Sequence, residues 1–199
     1  MLTVWIGLLC IQASMSLRAC LDLMTLMLVS ACAPGGGLPT LPTFHPAEYR
    51  LSPGDEVRII TVGQDELTGQ FRIDDSGKIA VPMLGNLPAA GLGPSELGRE
   101  VAGLLQKDGL IRAPSVSVEV VRYRPVSVLG EVNKPGAFDY EPGMTLLSAV
   151  AQAGGFTPRA VEGDASVLRT SGGRATEWRA SRTDVLQPGD VVTVFERRF

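Results

Sequence analysis

The most constraining feature of this sequence is residues 126–155, VSVLGEVNKPGAFDYEPGMTLLSAVAQAGG. Val126, Val128 and Val132 share one parity, which predicts a strand with a two-residue period. Pro135-Gly136 predicts a turn: proline presets its own φ, and glycine accepts the positive φ that a type II turn needs next. Ala137 to Tyr140 is expected to return as a short strand. Pro142-Gly143 turns the chain again. Thr145 is placed to cap a helix whose apolar positions are Leu146, Leu147, Ala149, Val150 and Ala153, and Gly154-Gly155 stops it. The result is a strand–turn–strand–turn–helix unit with no residue left over for a catalytic loop.

Composition narrows what such a unit can serve. A chain of 199 residues, 45% hydrophobic, supports one or two domains with ordinary cores. Its formal net charge is -3, with acidic and basic residues interspersed. No basic stripe exists, so nucleic acid is not an expected partner. Aromatic residues make up 6% and do not cluster, so no stacking platform for sugars or bases is visible. The three cysteines are Cys10, Cys20 and Cys32, so nothing after residue 32 can form a disulfide or a thiolate metal site. His45, the single histidine, has no second candidate ligand beside it. Neither a metal nor a cofactor is expected.

Residues 1–31 are far more apolar than the rest, and Arg18 and Asp22 are their only charges. The run from Leu21 to Ala31 is broken by Asp22 and falls short of the ~20 apolar residues of a membrane span. It suits the apolar core of a signal peptide preceded by a basic residue. Leu28-Val29-Ser30-Ala31-Cys32 resembles a bacterial lipobox. In such signals the peptide is cut before the cysteine, so Cys32 is the expected lipidation site and acylated N-terminus. A plain secretory signal or N-terminal anchor is the alternative. Met15 is a second plausible start. Ala33 after the cysteine, by resemblance to enteric sorting rules, favours the outer membrane. Residues 32–48 are rich in glycine and proline and lack periodicity, which predicts a tether carrying His45.

Folded structure is expected from Tyr49. YRLSPGDEVRIITV reads as a short strand, a Pro-Gly turn and a strand with Val57, Ile59 and Thr61 in alternation. Asp55 is placed to close that turn on backbone N–H groups. Gln70–Ile73 is a further strand. Asp74-Asp75-Ser76-Gly77 is a turn, lacking the oxygen ligands of a calcium loop. Lys78–Pro82 returns, and Met83–Leu87 continues it with a break at Gly85. Ser95 is the expected N-cap of a helix with Leu97, Val101, Leu104 and Leu105 inward, Lys107 in its last turn and Gly109 beyond. Val116, Val118 and Val120 alternate with Ser115, Ser117 and Glu119 in the next strand. Arg122-Tyr123-Arg124-Pro125 is the expected domain junction. Beyond Gly155, strands are expected at Ala165–Arg169 and Ala175–Ala180, separated by Ser171-Gly172-Gly173. The closing LQPGDVV repeats the opening LSPGDEV at five of seven positions. Two copies are too few for a solenoid and predict two small units built with the same turn.

Four stretches in order carry a family resemblance: YRLSPGDEVRI, DDSGKIAVPMLGNLPAAGLGPSEL, PSVSVEVVRYRPVSVLGEVNKPGAFDY and MTLLSAVAQAGG. Together they resemble the bacterial polysaccharide biosynthesis/export proteins, the outer-membrane polysaccharide export family, in a short form. The resemblance implies an α+β fold: a small polysaccharide-export domain at 49–122, then a β-grasp-like soluble-ligand-binding (SLBB) domain at 123–199. It implies a homo-oligomeric ring, lipid-anchored at the outer membrane and facing the periplasm. That ring would pass capsular polysaccharide or exopolysaccharide without catalysis. Expected partners are an inner-membrane polysaccharide co-polymerase, often with a tyrosine kinase, and the polysaccharide in transit. The residues Val191–Phe199 do not suit a spanning helix, which raises a separate outer-membrane barrel as a further partner.

Two other functions stand beside this one. A non-transport lipoprotein could use its β-grasp unit to bind a soluble ligand or glycan. A glycan-cleaving enzyme would need two carboxyl groups flanking the bond. Its candidates, Asp55, Asp74, Asp75, Glu131 and Asp190, all fall in turns or at strand ends, so no catalytic residue is assigned.

Overall fold

The computed structural model describes residues 35–44 and 49–197. Cys32 and His45 lie outside the described residues. The fold is α+β, with two lobes that each have their own core.

In the first lobe, β1 (Glu56–Thr61) buries Val57, Ile59 and Thr61 and turns Arg58 outward, as its alternation requires. It lies between β2 (Gly69–Arg72) and β5 (Val116–Arg122), antiparallel to both. A second small sheet pairs β3 (Lys78–Val81) with β4 (Gly85–Pro88). Helix α1 (Pro94–Lys107) packs on β5 and buries Leu97, Val101 and Leu105. Each of those side chains contributes about 2 kcal/mol through burial.

Three local expectations change here. Tyr49–Leu51 is not a strand; Leu51 instead donates its N–H to Leu92 O and accepts from Gly91 N. The chain does not run on through Met83. It reverses over Pro82–Leu84, where Met83 takes φ 65, and pairs back as a hairpin. The N-cap of α1 is Gly93, two residues before Ser95. Pro94 fits the first helical position, and Glu96 folds back to accept the Gly93 N–H at 2.8 Å. This bond, more than Arg50, holds the Glu96 carboxyl below its ordinary value against a smaller opposing effect of burial.

The second lobe is a five-stranded mixed sheet in the order β7-β6-β10-β8-β9. Its strands are β6 (Val126–Gly130), β7 (Gly136–Phe138), β8 (Ala160–Ser171), β9 (Arg174–Ser181) and β10 (Val191–Glu196). β10 runs parallel to β6 and antiparallel to β8. Helix α2 (Leu146–Gln152) buries Leu146, Ala149 and Val150 against the sheet, and Ala153 beyond its end is buried as well. Leu147 points outward. Thr145 caps it as expected, its Oγ1 accepting from Ser148 N at 3.2 Å. Glycines 172 and 173, with φ 57 and 78, form the two-residue loop between β8 and β9.

The Pro135-Gly136 turn does not form as expected. Gly136 lacks a positive φ and opens β7. The positive φ sits at Gly130, at 83, where the chain leaves β6 so close to Val194 that a side chain has no room. Asn133 then ties the loop down, donating to Gly154 O at 2.8 Å. Within the stretch expected as a tether, Pro39 and Leu41 bond along β9. Arg179 N donates to Pro39 O at 2.7 Å, Leu41 N donates to Arg179 O at 2.8 Å, and Leu41 is buried in the second core.

Candidate functional site

The two Pro-Gly-Asp sequences fold alike. Asp55 N donates to Ser52 O at 3.1 Å and Asp190 N to Gln187 O at 3.1 Å. The intervening Gly54 and Gly189 take φ 95 and 86, the geometry of a type II turn. Each aspartate also accepts the N–H three residues back, from Ser52 at 2.9 Å and from Gln187 at 2.7 Å. Both carboxylates are buried, Asp55 at 0% and Asp190 at 1% exposure. Buried carboxylates need compensation.

The two turns obtain that compensation differently. Asp190 faces the almost fully buried Arg169, which donates Nε at 2.9 Å and Nη2 at 2.7 Å in a two-pronged pair inside the second lobe. Asp55 faces the junction. It accepts the backbone N–H of Arg124 at 3.2 Å and the hydroxyl of Tyr49, and the Arg124 Nε lies 3.5 Å away. Arg124 therefore ties the first turn to the start of the second lobe.

Beside this contact runs an aromatic ladder. Tyr49 meets Tyr123 edge-on at 5.2 Å between ring centres, and Tyr123 meets Tyr140 edge-on at 5.4 Å. Tyr49 packs on the first core, while Tyr123 and Tyr140 belong with the second. Burial raises the hydroxyl pKa of each, and at Tyr49 the hydrogen bond to Asp55 adds to it. A cleft of ≈ 660 Å³ opens next to the ladder, lined among others by Tyr49, Ser52, Arg124, Thr170, Gly172 and Gln187.

The five carboxylates weighed as acids or bases are not brought together. Asp55 and Asp190 are spent on turns and guanidinium partners. Asp74 closes its own hairpin, accepting from Lys78 N at 2.9 Å and Ser76 Oγ at 2.7 Å, which lowers its pKa. Asp75 is exposed, and Glu131 accepts from Thr157 Oγ1. Among the described residues no group of three or more His, Cys, Asp or Glu side chains converges to hold a metal.

Sequence reading placed Arg124 and Tyr123 only at a junction, and it missed Arg169. Two signals pointed at the seam. One is the repeated Pro-Gly-Asp; the other is that the chain's three tyrosines are Tyr49, Tyr123 and Tyr140, far apart in sequence.

What lies exposed is suited to association. β2 and β5 are the outer strands of one sheet; β7 and β9 are those of the other, with the β9 edge partly covered by Pro39–Leu41. Val121 on β5 and Leu129 on β6 are exposed at 43% and 44%. Open strand edges are templates for pairing with another chain.

Comparison with known proteins fits a body of this kind. A family model described as "Polysaccharide biosynthesis/export protein" matches residues 45–121, and an "SLBB domain" model matches 125–178. This chain belongs to the polysaccharide biosynthesis/export family. Relatives of the chain include the exopolysaccharide production protein ExoF of Rhizobium meliloti (strain 1021). It is 37% identical over 119 residues, covering 54% of this chain and 28% of ExoF. The polysialic acid transport protein KpsD of Escherichia coli is 29% identical over 117 residues, covering 58% of this chain and 21% of KpsD. The chain thus spans about a quarter of the length of these curated relatives.

Proposed function

We propose that this chain is a periplasmic ring component, anchored to the outer membrane, for export of capsular polysaccharide or exopolysaccharide. The reading takes 1–31 as a lipoprotein signal, 32–48 as a tether that is pinned along β9 at Pro39–Leu41, 49–122 as the export domain and 123–199 as the SLBB domain. Cys32 carries the lipid in this account, and several acyl chains at one point give firm attachment, each buried methylene adding ~0.8 kcal/mol. Copies meet head to tail until the rotation closes. An inner-membrane co-polymerase sits below the ring, and a separate barrel continues the path above it. Among the described residues no helix is long and apolar enough to cross a membrane.

The observation that supports this most is the order of the two matched domains, combined with buried carboxylates that all serve structure. ExoF and KpsD, named for exopolysaccharide production and polysialic acid transport, point to an envelope role and a polysaccharide cargo. Deleting the gene in its host and measuring surface polysaccharide tests the function. Loss of surface polymer is expected, and unchanged export in a strain with no second copy refutes it. Cys32→Ala tests the anchor: acylation and outer-membrane fractionation should both disappear.

A further inference from the structure

Arg124 lies against both Pro-Gly-Asp turns. Its Cγ is 3.4 Å from where a Cβ on Gly54 would stand, and its Nη1 is 2.8 Å from where a Cβ on Gly189 would stand. Its backbone N–H and its Nε address Asp55 in the first lobe, and its guanidinium tip rests on the turn that feeds β10 in the second. The repeated motif thus has a use that neither copy has alone: the two turns form the jaws of a clasp, and Arg124 is what they hold. A guanidinium is planar and stiff near its end, so its position transmits the orientation of one jaw to the other.

We propose that Arg124 is a positioning residue that fixes the angle between the export lobe and the SLBB lobe, and thereby the curvature with which copies meet. The second half rests on the ring reading; the first does not. In a head-to-tail assembly a small change of angle inside each subunit accumulates around the ring, so closure depends on every copy holding the same angle.

Two glycines separate this role from ordinary turn strain. Gly143 and Gly189 both follow proline and both have φ 86. A Cβ on Gly143 meets open space, whereas one on Gly189 meets the flexible tip of Arg124. Gly189→Ala and Gly143→Ala therefore carry the same backbone strain, and only the first displaces the guanidinium. Arg124→Ala is the obvious variant, but it strands the buried Asp55 and risks the fold. The glycine pair avoids that difficulty, and Arg124→Lys, which keeps the stem and the charge, serves as the conservative rescue.

The test uses the full chain with a fluorophore pair placed through unnatural amino acids at the exposed positions Asp75 and Arg174, one in each lobe. Single-molecule energy transfer reads the distance between them, and electron microscopy counts subunits per ring. Wild type and Gly143→Ala should give one narrow distance and one ring size. Gly189→Ala should broaden the distance at least twofold and yield open arcs or mixed ring sizes. Arg124→Lys should fall between them. Equal distance distributions for the two glycine variants overturn the proposal. A broadened distance with uniform rings overturns the curvature half. Absence of rings in the wild type refutes the ring reading instead and leaves the lobe angle to be judged by the distances alone.

Discussion

Asp190→Asn tests how much of the second lobe depends on one buried ion pair. Asp190 is 1% exposed and Arg169 7% exposed, and two short bonds of 2.9 and 2.7 Å join them. Asparagine keeps the shape and retains an oxygen for the Gln187 N–H, so the turn itself survives. What it removes is the negative charge, and its amide N–H₂ then opposes the guanidinium. Arg169 is left buried without a counter-ion, which costs about 3–5 kcal/mol. For a folded body of this size, each kcal/mol moves Tm by roughly 2–4 °C, so a fall on the order of 10 °C is expected. Arg169→Met with Asp190→Asn removes the stranded cation and should recover all but about 1 kcal/mol of the loss, because a buried pair and a packed neutral replacement are nearly equivalent. Urea unfolding of the two single variants and the double variant measures the coupling, with an unchanged m-value as the check that only stability moved. A loss below ~1 kcal/mol for Asp190→Asn, or a double variant no more stable than the single, refutes the argument that this pair is desolvated.

Gly130→Ala should be among the most damaging small substitutions. Its Cβ would stand 2.2 Å from Val194 O, on a residue with φ 83, so β6 must part from β10; a loss of about 3 kcal/mol or more is expected in chemical unfolding. At high pH the ladder should fail. Burial raises the pKa of all three tyrosines, so the stability they add is complete below the free value of about 10 and is lost as pH rises through their folded values. Tyrosinate absorbance reports this directly, since the chain has no other tyrosines; titration at the free value in the folded protein would count against it. At low pH the sign reverses. The Asp74 carboxyl is held below its ordinary value chiefly by the Lys78 N–H, so its help to the β3–β4 hairpin is present above the unfolded pKa and is lost as pH falls through the folded one. Asp74→Asn should flatten that acid limb in a pH series of unfolding midpoints.

Much of this architecture was legible because its determinants are local. Pro-Gly followed by aspartate at 53–55 and 188–190 demands a proline-preset φ, a left-handed residue and a side chain that bonds backward, and all three are satisfied within four residues. The Thr145 cap and the inward stripe of α1 follow equally from short-range spacing. Where the sequence misled, a distant partner decided. The type II turn expected at Pro135-Gly136 does not form, and the left-handed residue is instead Gly130, where the chain passes against Val194. Leu41, read as part of a tether, is drawn into the second core by pairing along β9.

The sequence alone therefore determined the two Pro-Gly-Asp turns, the Thr145 cap, the strand parity of β1, the α+β class and the order of two modules, since each depends on residues a few positions apart. Only the tertiary structure showed that Arg124 lies across both turns, that three scattered tyrosines form one ladder, and that Arg169 is the partner of Asp190. Those contacts join residues as far apart as Tyr49 and Tyr123, and their formation depends on how the sheets pack, which periodicity does not encode.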